Sequence, residues 1–248
     1  MIKLIEYIDS EICKVNSLYN ALSEKIVSTY NLHDNTNKPL IYSQTDDNGN
    51  VTGIILNSLS DITVSVNEQS DVDELKDFLN CIGYKCVKSN REIDLNNKNR
   101  QGFIVEYVGD KTIQTKNAEI ISSEEIKNIF PLIKQCFETE IDFSEWFCDC
   151  SHKIRHSKAA ISAVKIDERY VSSATCMFKT DCSATMLSVC TDKNFRKSGY
   201  ASDCIYKLIN DLDKKNNKDV FLLCEDKMIE FYKRIGFKDN GRWYEYVQ

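Results

Sequence analysis

The sequence is poor in residues that interrupt regular structure, with two prolines and eight glycines among 248 residues. So few breakers exclude a collagen-like or low-complexity chain and leave long stretches free for helices and strands. Positive charge is not in surplus either: Asp and Glu outnumber Lys and Arg by 38 to 32, giving a net charge of −6. A surface that grips nucleic acid through phosphates carries a basic face, so nucleic acid is not an expected partner. No run approaches the roughly 20 consecutive apolar residues that a membrane span needs. The start, Met1-Ile2-Lys3-Leu4-Ile5-Glu6, is charged within its first turn and lacks the apolar core of a secretory signal. The expectation is a cytoplasmic protein with no membrane partner.

Histidine is scarce, and paired cysteines at zinc spacing are missing. Eleven cysteines, an odd number, are scattered through apolar segments, as in a reduced protein that uses Cys as a small buried hydrophobe. Cys148-Asp149-Cys150, with His152 and His156 nearby, is the one cluster that hints at metal. A structural zinc site needs a second matching pair, and none follows, so no metal is expected. His33 sits in a polar stretch with nothing to mark it.

What is present reads as an alternation of helices and strands. Ile5, Ile12, Val15, Leu18, Leu22 and Ile26 recur at helical spacing, so one or two helices are expected over residues 2–29. Strands follow at 40–43, 51–56 and 62–66, the first two joined by the turn signal Asp47-Asn48-Gly49-Asn50. Ser70 and Asp71 cap a helix with Val72, Leu75, Phe78 and Leu79 as its stripe, ending at Gly83. Strands at 103–107 and 119–121 flank a polar linker near 110–116, and helices are expected over 123–139 and 143–155. Three strands, at 159–165, 170–178 and 185–191, precede a polar loop and a long helix. That helix carries Ala201, Cys204, Ile205, Leu208, Ile209 and Leu212 on one face. A wholly apolar strand at 220–224, a short helix at 228–235 and a last strand at 243–247 complete the chain.

The chemistry concentrates in Arg196-Lys197-Ser198-Gly199-Tyr200-Ala201, which links a strand to the long helix. A small-residue loop entering a helix N-terminus presents several unpaired N–H groups, reinforced by the helix dipole, to an anion such as a pyrophosphate. Gly199 admits close backbone approach, and Arg196 and Lys197 add charge. By itself this is also what an ordinary strand-to-helix turn looks like.

Two motifs carry a resemblance. Arg196-x-x-Gly199-x-Ala201 resembles the Gln/Arg-x-x-Gly-x-Gly/Ala acyl-CoA motif of the GNAT superfamily of N-acetyltransferases, and it follows a strand, as in that family. Downstream, Phe231-Tyr232-Lys233-Arg234-Ile235-Gly236-Phe237 resembles the family's Phe-Tyr-x-Lys-x-Gly-Phe signature. The likeness covers about residues 117–248, and Ser151 to His156 is similar to a segment of two-part bacterial members of similar length.

The resemblance implies a GNAT-like α/β (α+β) fold, with a mixed, mostly antiparallel sheet flanked by helices, and the acetyl donor acetyl-CoA as co-substrate. It implies that the backbones of Val189 and Thr191 pair with the pantetheine arm. The amides of Arg196, Lys197, Ser198, Gly199, Tyr200 and Ala201 would hold the pyrophosphate, with Ser202 as a further contact. Tyr232 matches the tyrosine that protonates the departing thiolate, although a plain core aromatic is the competing reading. The acceptor would be a primary amine on a small molecule or peptide, attacking the thioester directly, and the enzyme a monomer or homodimer. Glu225 stands where the family often has Asn, and Met228 where it often has a small residue. Glu225, Glu230 and Asp192 are the candidates for a general base, each with an ordinary solvated carboxylate as its alternative. The departure at Glu225 keeps a non-catalytic acyl-CoA-binding sensor as the rival reading.

His152 and His156, four apart on a helix, share a face and are expected to join Asp149 in a structural network, with a place lining the amine pocket as the alternative. In the N-terminal half, hairpin, strand, helix and Gly83-Tyr84 parallel the C-terminal order, and Phe78 to Tyr84 reads as a faded Phe-Tyr-Lys-Arg-Ile-Gly-Phe. Asn67 to Ser70, in place of a phosphate loop, is short and acidic. The expected division is therefore a degenerate GNAT-like unit over 1–112 and a catalytic domain over 113–248.

Overall fold

The computed structural model describes residues 1–32, 38–110, 113–137, 142–216 and 218–248. His33 lies outside the described residues. The chain folds into two compact units, one formed by Met1–Glu106 with Phe221–Gln248 and one by Tyr107–Val220. The division at 112 expected from sequence is a division along the chain, and the last 28 residues pack with the first 106.

In the first unit the elements are β1 (Ile2–Ile5), α1 (Ser10–Val15), α2 (Ala21–Leu32), β2 (Leu40–Thr45), β3 (Val51–Ser58) and β4 (Asp61–Val66). They continue with α3 (Val72–Ile82), β5 (Cys86–Ser89) and β6 (Lys98–Tyr107). Expected as helix, Ile2–Ile5 is instead a strand that runs antiparallel to β2 from Ile2↔Gln44 to Ile5↔Ile41. Four residues are too few for periodicity to decide, and pairing with β2 decides it. Strand β3 is buried on both faces. Ile55 packs with Val64, Leu75 and Leu79 beneath α3, while its neighbours Ile54 and Leu56 pack with Leu18, Ile26 and Val27 of the α1–α2 layer. Helix α3 starts where Asp71 accepts the Glu74 amide at 3.0 Å. It ends at Gly83, whose φ of 70° is open to glycine at no steric cost. Strands β4 and β5 pair in parallel, while β1–β2, β2–β3 and β3–β4 pair antiparallel.

The chain's last elements are β11 (Asp219–Glu225), α7 (Ile229–Arg234) and β12 (Phe237–Val247). β12 runs antiparallel to β5, and β11 antiparallel to β6. Glu245 on β12 is 4% exposed and meets Lys88 at 3.0 Å and Arg100 at 2.8 Å. Burial by itself would raise its carboxyl, but the Arg100 hydrogen bond and the Lys88 charge outweigh burial and hold it at about 2. Because the folded value is depressed, its stabilisation is complete above the ordinary carboxylate range and is lost as pH falls from about 4.5 to about 2. Glu245→Gln is expected to cost about 2 kcal/mol at pH 7, below the full cost of breaking a buried pair because Arg100 is half exposed. Urea midpoints of the two proteins at pH 7 and pH 3 check this, and the gap should narrow at the lower pH.

The second unit holds β7 (Ala118–Ile120), α4 (Phe130–Phe137), α5 (Phe143–Arg155), β8 (Ala160–Ile166), β9 (Arg169–Lys179), β10 (Ser183–Thr191) and α6 (Tyr200–Asn216). The helix expected from residue 123 is shorter. It begins with Pro131 at its first turn, where a missing N–H costs nothing. Its strands lie in the order β10-β9-β8-β7. Ile161 and Ala163 of β8 face a core with Ile129, Leu132 and Ile133 from α4 and its approach. Ser162, between them, points the other way and donates to the Cys204 carbonyl of α6 at 2.6 Å. Helices therefore cover both faces of this sheet. The α6 stripe read from sequence is the buried face: Cys204, Ile205, Leu208 and Ile209 are fully enclosed. No described helix is long and apolar enough to cross a membrane.

Candidate functional site

The predicted site residues fall into two sets, one in each unit. Val189, Thr191 and Arg196 to Ser202 belong to the second; Glu225 and Tyr232 belong to the first.

In the second unit the site grows from a defect in β10. Leu187 pairs with Thr175 and Cys190 with Ser173, so Ser188 and Val189 together oppose Ala174 alone. This is a β-bulge, and Ser188 takes a φ of 50° to make it. The ladder to β9 skips Val189, whose side chain is half-buried. Regular pairing resumes at Cys190 and continues at Thr191, whose hydroxyl lies 2.9 Å from that of Ser172 and whose carbonyl accepts from Arg196 Nε at 3.2 Å.

Asp192 then turns the chain. It is fully buried, accepts the Asn194 amide at 2.9 Å and is ion-paired to Arg169. A carboxylate committed in this way anchors the loop, which is the structural alternative to the base role weighed from sequence. Past it, Lys197 and Gly199 adopt left-handed φ values of 66° and 82°. A Cβ at Gly199 would meet nothing within 4 Å, so glycine is required here by conformation and not by crowding. Among the described residues, no acceptor is paired to the N–H groups of Ser198, Gly199, Tyr200 or Ala201. Asp203 in the first turn of α6 is directed elsewhere, accepting from the amides of Lys116, Asn117 and Ala118 at 2.7–2.9 Å. The exposed loop with Arg196 and Lys197, followed by unpaired amides at a 17-residue helix, is a ready cradle for an anion.

In the first unit Tyr232 is 5% exposed. Its ring meets those of Phe231 and Phe237 edge-on, with centroids 5.0 and 5.7 Å away. Burial, with a smaller contribution from Cys224, pushes its phenol well above the usual range, so it stays protonated. Glu225, at the end of β11, is ion-paired to Lys227 at 2.6 Å, and the exposed Glu230 pairs with Lys233 at 3.3 Å. Both have the character of surface carboxylates.

The imidazoles of His152 and His156 lie side by side, with centroids 4.5 Å apart and planes tilted by 46°. Asp149 is turned to Lys153 at 2.8 Å, so the expected network with Asp149 is replaced by an i,i+4 ion pair. Sequence reasoning passes over Cys136, on α4, which packs against the core cluster that holds Cys190 of β10. Two cysteines 54 positions apart carry no local signal; only the packing of α4 on β10 unites them.

The first unit has a cleft beyond the carboxyl ends of the parallel strands β4 and β5, with a volume of about 580 Å³. Its strand ends are already satisfied. The Asn90 side chain both accepts from Val66 N–H and donates to Val66 C=O at 2.8 Å, in the manner of a strand residue. Arg91 Nη1 lies 3.3–3.4 Å from the carbonyls of Asn67, Glu68 and Ser70.

The sequence profile of the Acetyltransferase (GNAT) family matches residues 124–237. The structure is similar to a GCN5-related N-acetyltransferase from Sphaerobacter thermophilus, with a TM-score of 0.61 at 10% identity, covering 100% of this chain and 95% of that one. It is similar to a GNAT-family acetyltransferase from Colwellia psychrerythraea, with a TM-score of 0.54 at 11% identity over 100% and 99%. A third likeness is to a putative GNAT-family acetyltransferase from Novosphingobium aromaticivorans, with a TM-score of 0.55 at 15% identity over 79% and 87%. At such identities the likeness is one of fold. No curated protein matches the sequence at a significant level.

Proposed function

Because residues 124–237 match the profile of the Acetyltransferase (GNAT) family, we propose that this chain transfers an acetyl group from acetyl-CoA to a primary amine on a small molecule or peptide. The reading is carried by one observation: the bulged β10 leads into the Arg196–Ala201 loop, whose left-handed Lys197 and Gly199 leave the amides at the start of α6 unpaired.

The pyrophosphate takes the amides of Ser198 to Ala201, helped by Arg196, Lys197 and the Ser202 hydroxyl. The pantetheine arm pairs with the backbone of Val189 and Thr191, at and just after the β10 bulge. The neutral amine attacks the thioester carbonyl carbon, a β10 amide polarises the carbonyl oxygen, and the C–S bond breaks. The departing thiolate takes the Tyr232 proton, and the attacking nitrogen gives up its own to a base, for which Glu225 is the proposed residue. The protein acts in the cytoplasm as a monomer or homodimer.

The N-terminal unit is, on this reading, a degenerate copy of the same fold. Asn90 and Arg91 take up with their own side chains the strand and loop groups that a cofactor would use.

A second reading, an acyl-CoA-binding sensor without turnover, is favoured by the commitment of Glu225 to Lys227. Calorimetric titration of acetyl-CoA, followed by mass spectrometry of an amine panel, tests both. Micromolar binding, about −8 kcal/mol, with acetylated product supports the enzyme. The same binding with no product across amino acids, polyamines, aminoglycosides and peptide N-termini supports the sensor. Absence of binding by folded protein rejects both.

A further inference from the structure

The two oxygens of the buried Asp192 carboxylate are committed to different parts of the second unit. Oδ1 accepts the Asn194 amide at 2.9 Å, inside a turn that also brings the Phe195 N–H to the Asp192 carbonyl at 2.8 Å. Oδ2 is paired to Nη2 of Arg169, the first residue of β9. The Asp192 amide is fastened as well, to the Val171 carbonyl at 2.9 Å. The Arg196–Ala201 loop therefore leaves the sheet from a point that Arg169 holds.

Arg169 is itself placed by a strained turn. It pairs with Ile166 of β8, and the two residues between them, Asp167 and Glu168, take φ values of 46° and 63°. A two-residue hairpin of this kind needs left-handed backbone at both positions and favours Asn-Gly. Two residues with larger side chains adopt it here, a strain that only the surrounding structure can maintain. Glu168 closes the turn on Lys165 at 2.6 Å.

Burial within the Arg169–Asp192 pair is lopsided. The Asp192 side chain is 0% exposed and that of Arg169 is 59% exposed. Loss of the carboxylate would leave a guanidinium that already meets water. Loss of the guanidinium would strand a carboxylate sealed from water, which could be hydrated only by moving the chain that leads into the loop.

We propose that Arg169 is a positioning residue: through Asp192 it holds the Arg196–Ala201 loop in the conformation that presents its amides. The consequence for acetyl-CoA rests on the function proposed above, whereas the ordering of the loop does not. An apparent Kd is the intrinsic value divided by the competent fraction, so a loop that is ordered in about one molecule in twenty binds about twentyfold more weakly.

Two readouts on purified full-length protein test this. One is the calorimetric Kd for acetyl-CoA; the other is hydrogen exchange, followed by mass, over peptides spanning 192–199 in the free protein. Arg169→Met is expected to raise Kd about twentyfold and to speed exchange of that segment about tenfold. Arg169→Lys keeps the cation and should stay within about threefold of the wild type in both. Asp192→Asn keeps an oxygen for the Asn194 amide and should weaken binding about fivefold; adding Arg169→Met to it should change Kd by less than about twofold. A guanidinium that touched the cofactor directly would be missed in either background, so a twentyfold loss on top of Asp192→Asn overturns the proposal. Unchanged Kd in Arg169→Met with a wild type that binds, or unchanged exchange, overturns it too. Should Arg169→Met not fold, the comparison within the Asp192→Asn background, free of the stranded charge, still decides. A folded wild type that binds no acetyl-CoA, but whose 192–199 segment loosens in Arg169→Met, refutes the cofactor reading and leaves Arg169 as the residue that orders the loop.

Discussion

Gly199→Glu is expected to reduce acetyl-CoA binding by more than a hundredfold, to below detection in a calorimeter that reads micromolar binding by the wild type. Two effects combine. At a φ of 82° any side chain is strained, and the new carboxylate sits at the amides proposed to receive a pyrophosphate, repelling it. The open space around the position separates them. Gly199→Ala brings the strain without the charge and should lose about 1 kcal/mol of stability with a binding loss of tenfold or less. If the two variants lose binding equally, backbone conformation alone is responsible and the anion reading of the loop fails. If neither loses binding, the cofactor lies elsewhere.

Tyr232→Phe should lower kcat by about 100-fold, within the usual range for loss of a positioned general acid, with acetyl-CoA affinity unchanged. The ring contacts to Phe231 and Phe237 survive the substitution, so the melting temperature should stay within a few degrees. Burial keeps the Tyr232 phenol protonated well above neutral pH. No loss of rate on the alkaline side of neutrality is therefore expected from this group. A variant with wild-type kcat and altered stability would make Tyr232 the plain core aromatic that its position on an apolar turn also fits.

Much of this is legible along the chain, and the reasons are local. The α6 face of Cys204, Ile205, Leu208 and Ile209 follows from helical spacing, and all four are enclosed. Asp71 and Gly83 bracket α3 as capping rules require. Arg196 to Ala201 is visible as a strand-to-helix loop because glycine and small residues mark such turns within six positions. The strand at Ile2–Ile5 escapes sequence reasoning because its edge pairing with β2 has no signature in four residues. Asp192 reads as a solvated carboxylate because nothing in sequence brings Arg169 to it.

The sequence by itself determined the α/β alternation, the family likeness over residues 117–248 and the position of the Arg196–Ala201 strand-to-helix loop. All of these depend on residues within a few positions of one another, where spacing maps directly onto a helix face, a strand face or a turn. Tertiary structure alone decided that Phe221–Gln248 packs with the N-terminal unit, through Tyr246↔Val87 and its neighbours on β12 and β5. It alone placed the bulge at Ser188–Val189, the Asn90 and Arg91 bonds in the N-terminal cleft, and Cys136 against the core cluster that holds Cys190. Strand register and side-chain partnership across scores of residues are fixed by which buried surfaces and hydrogen bonds are satisfied together, and that is a property of the packed whole.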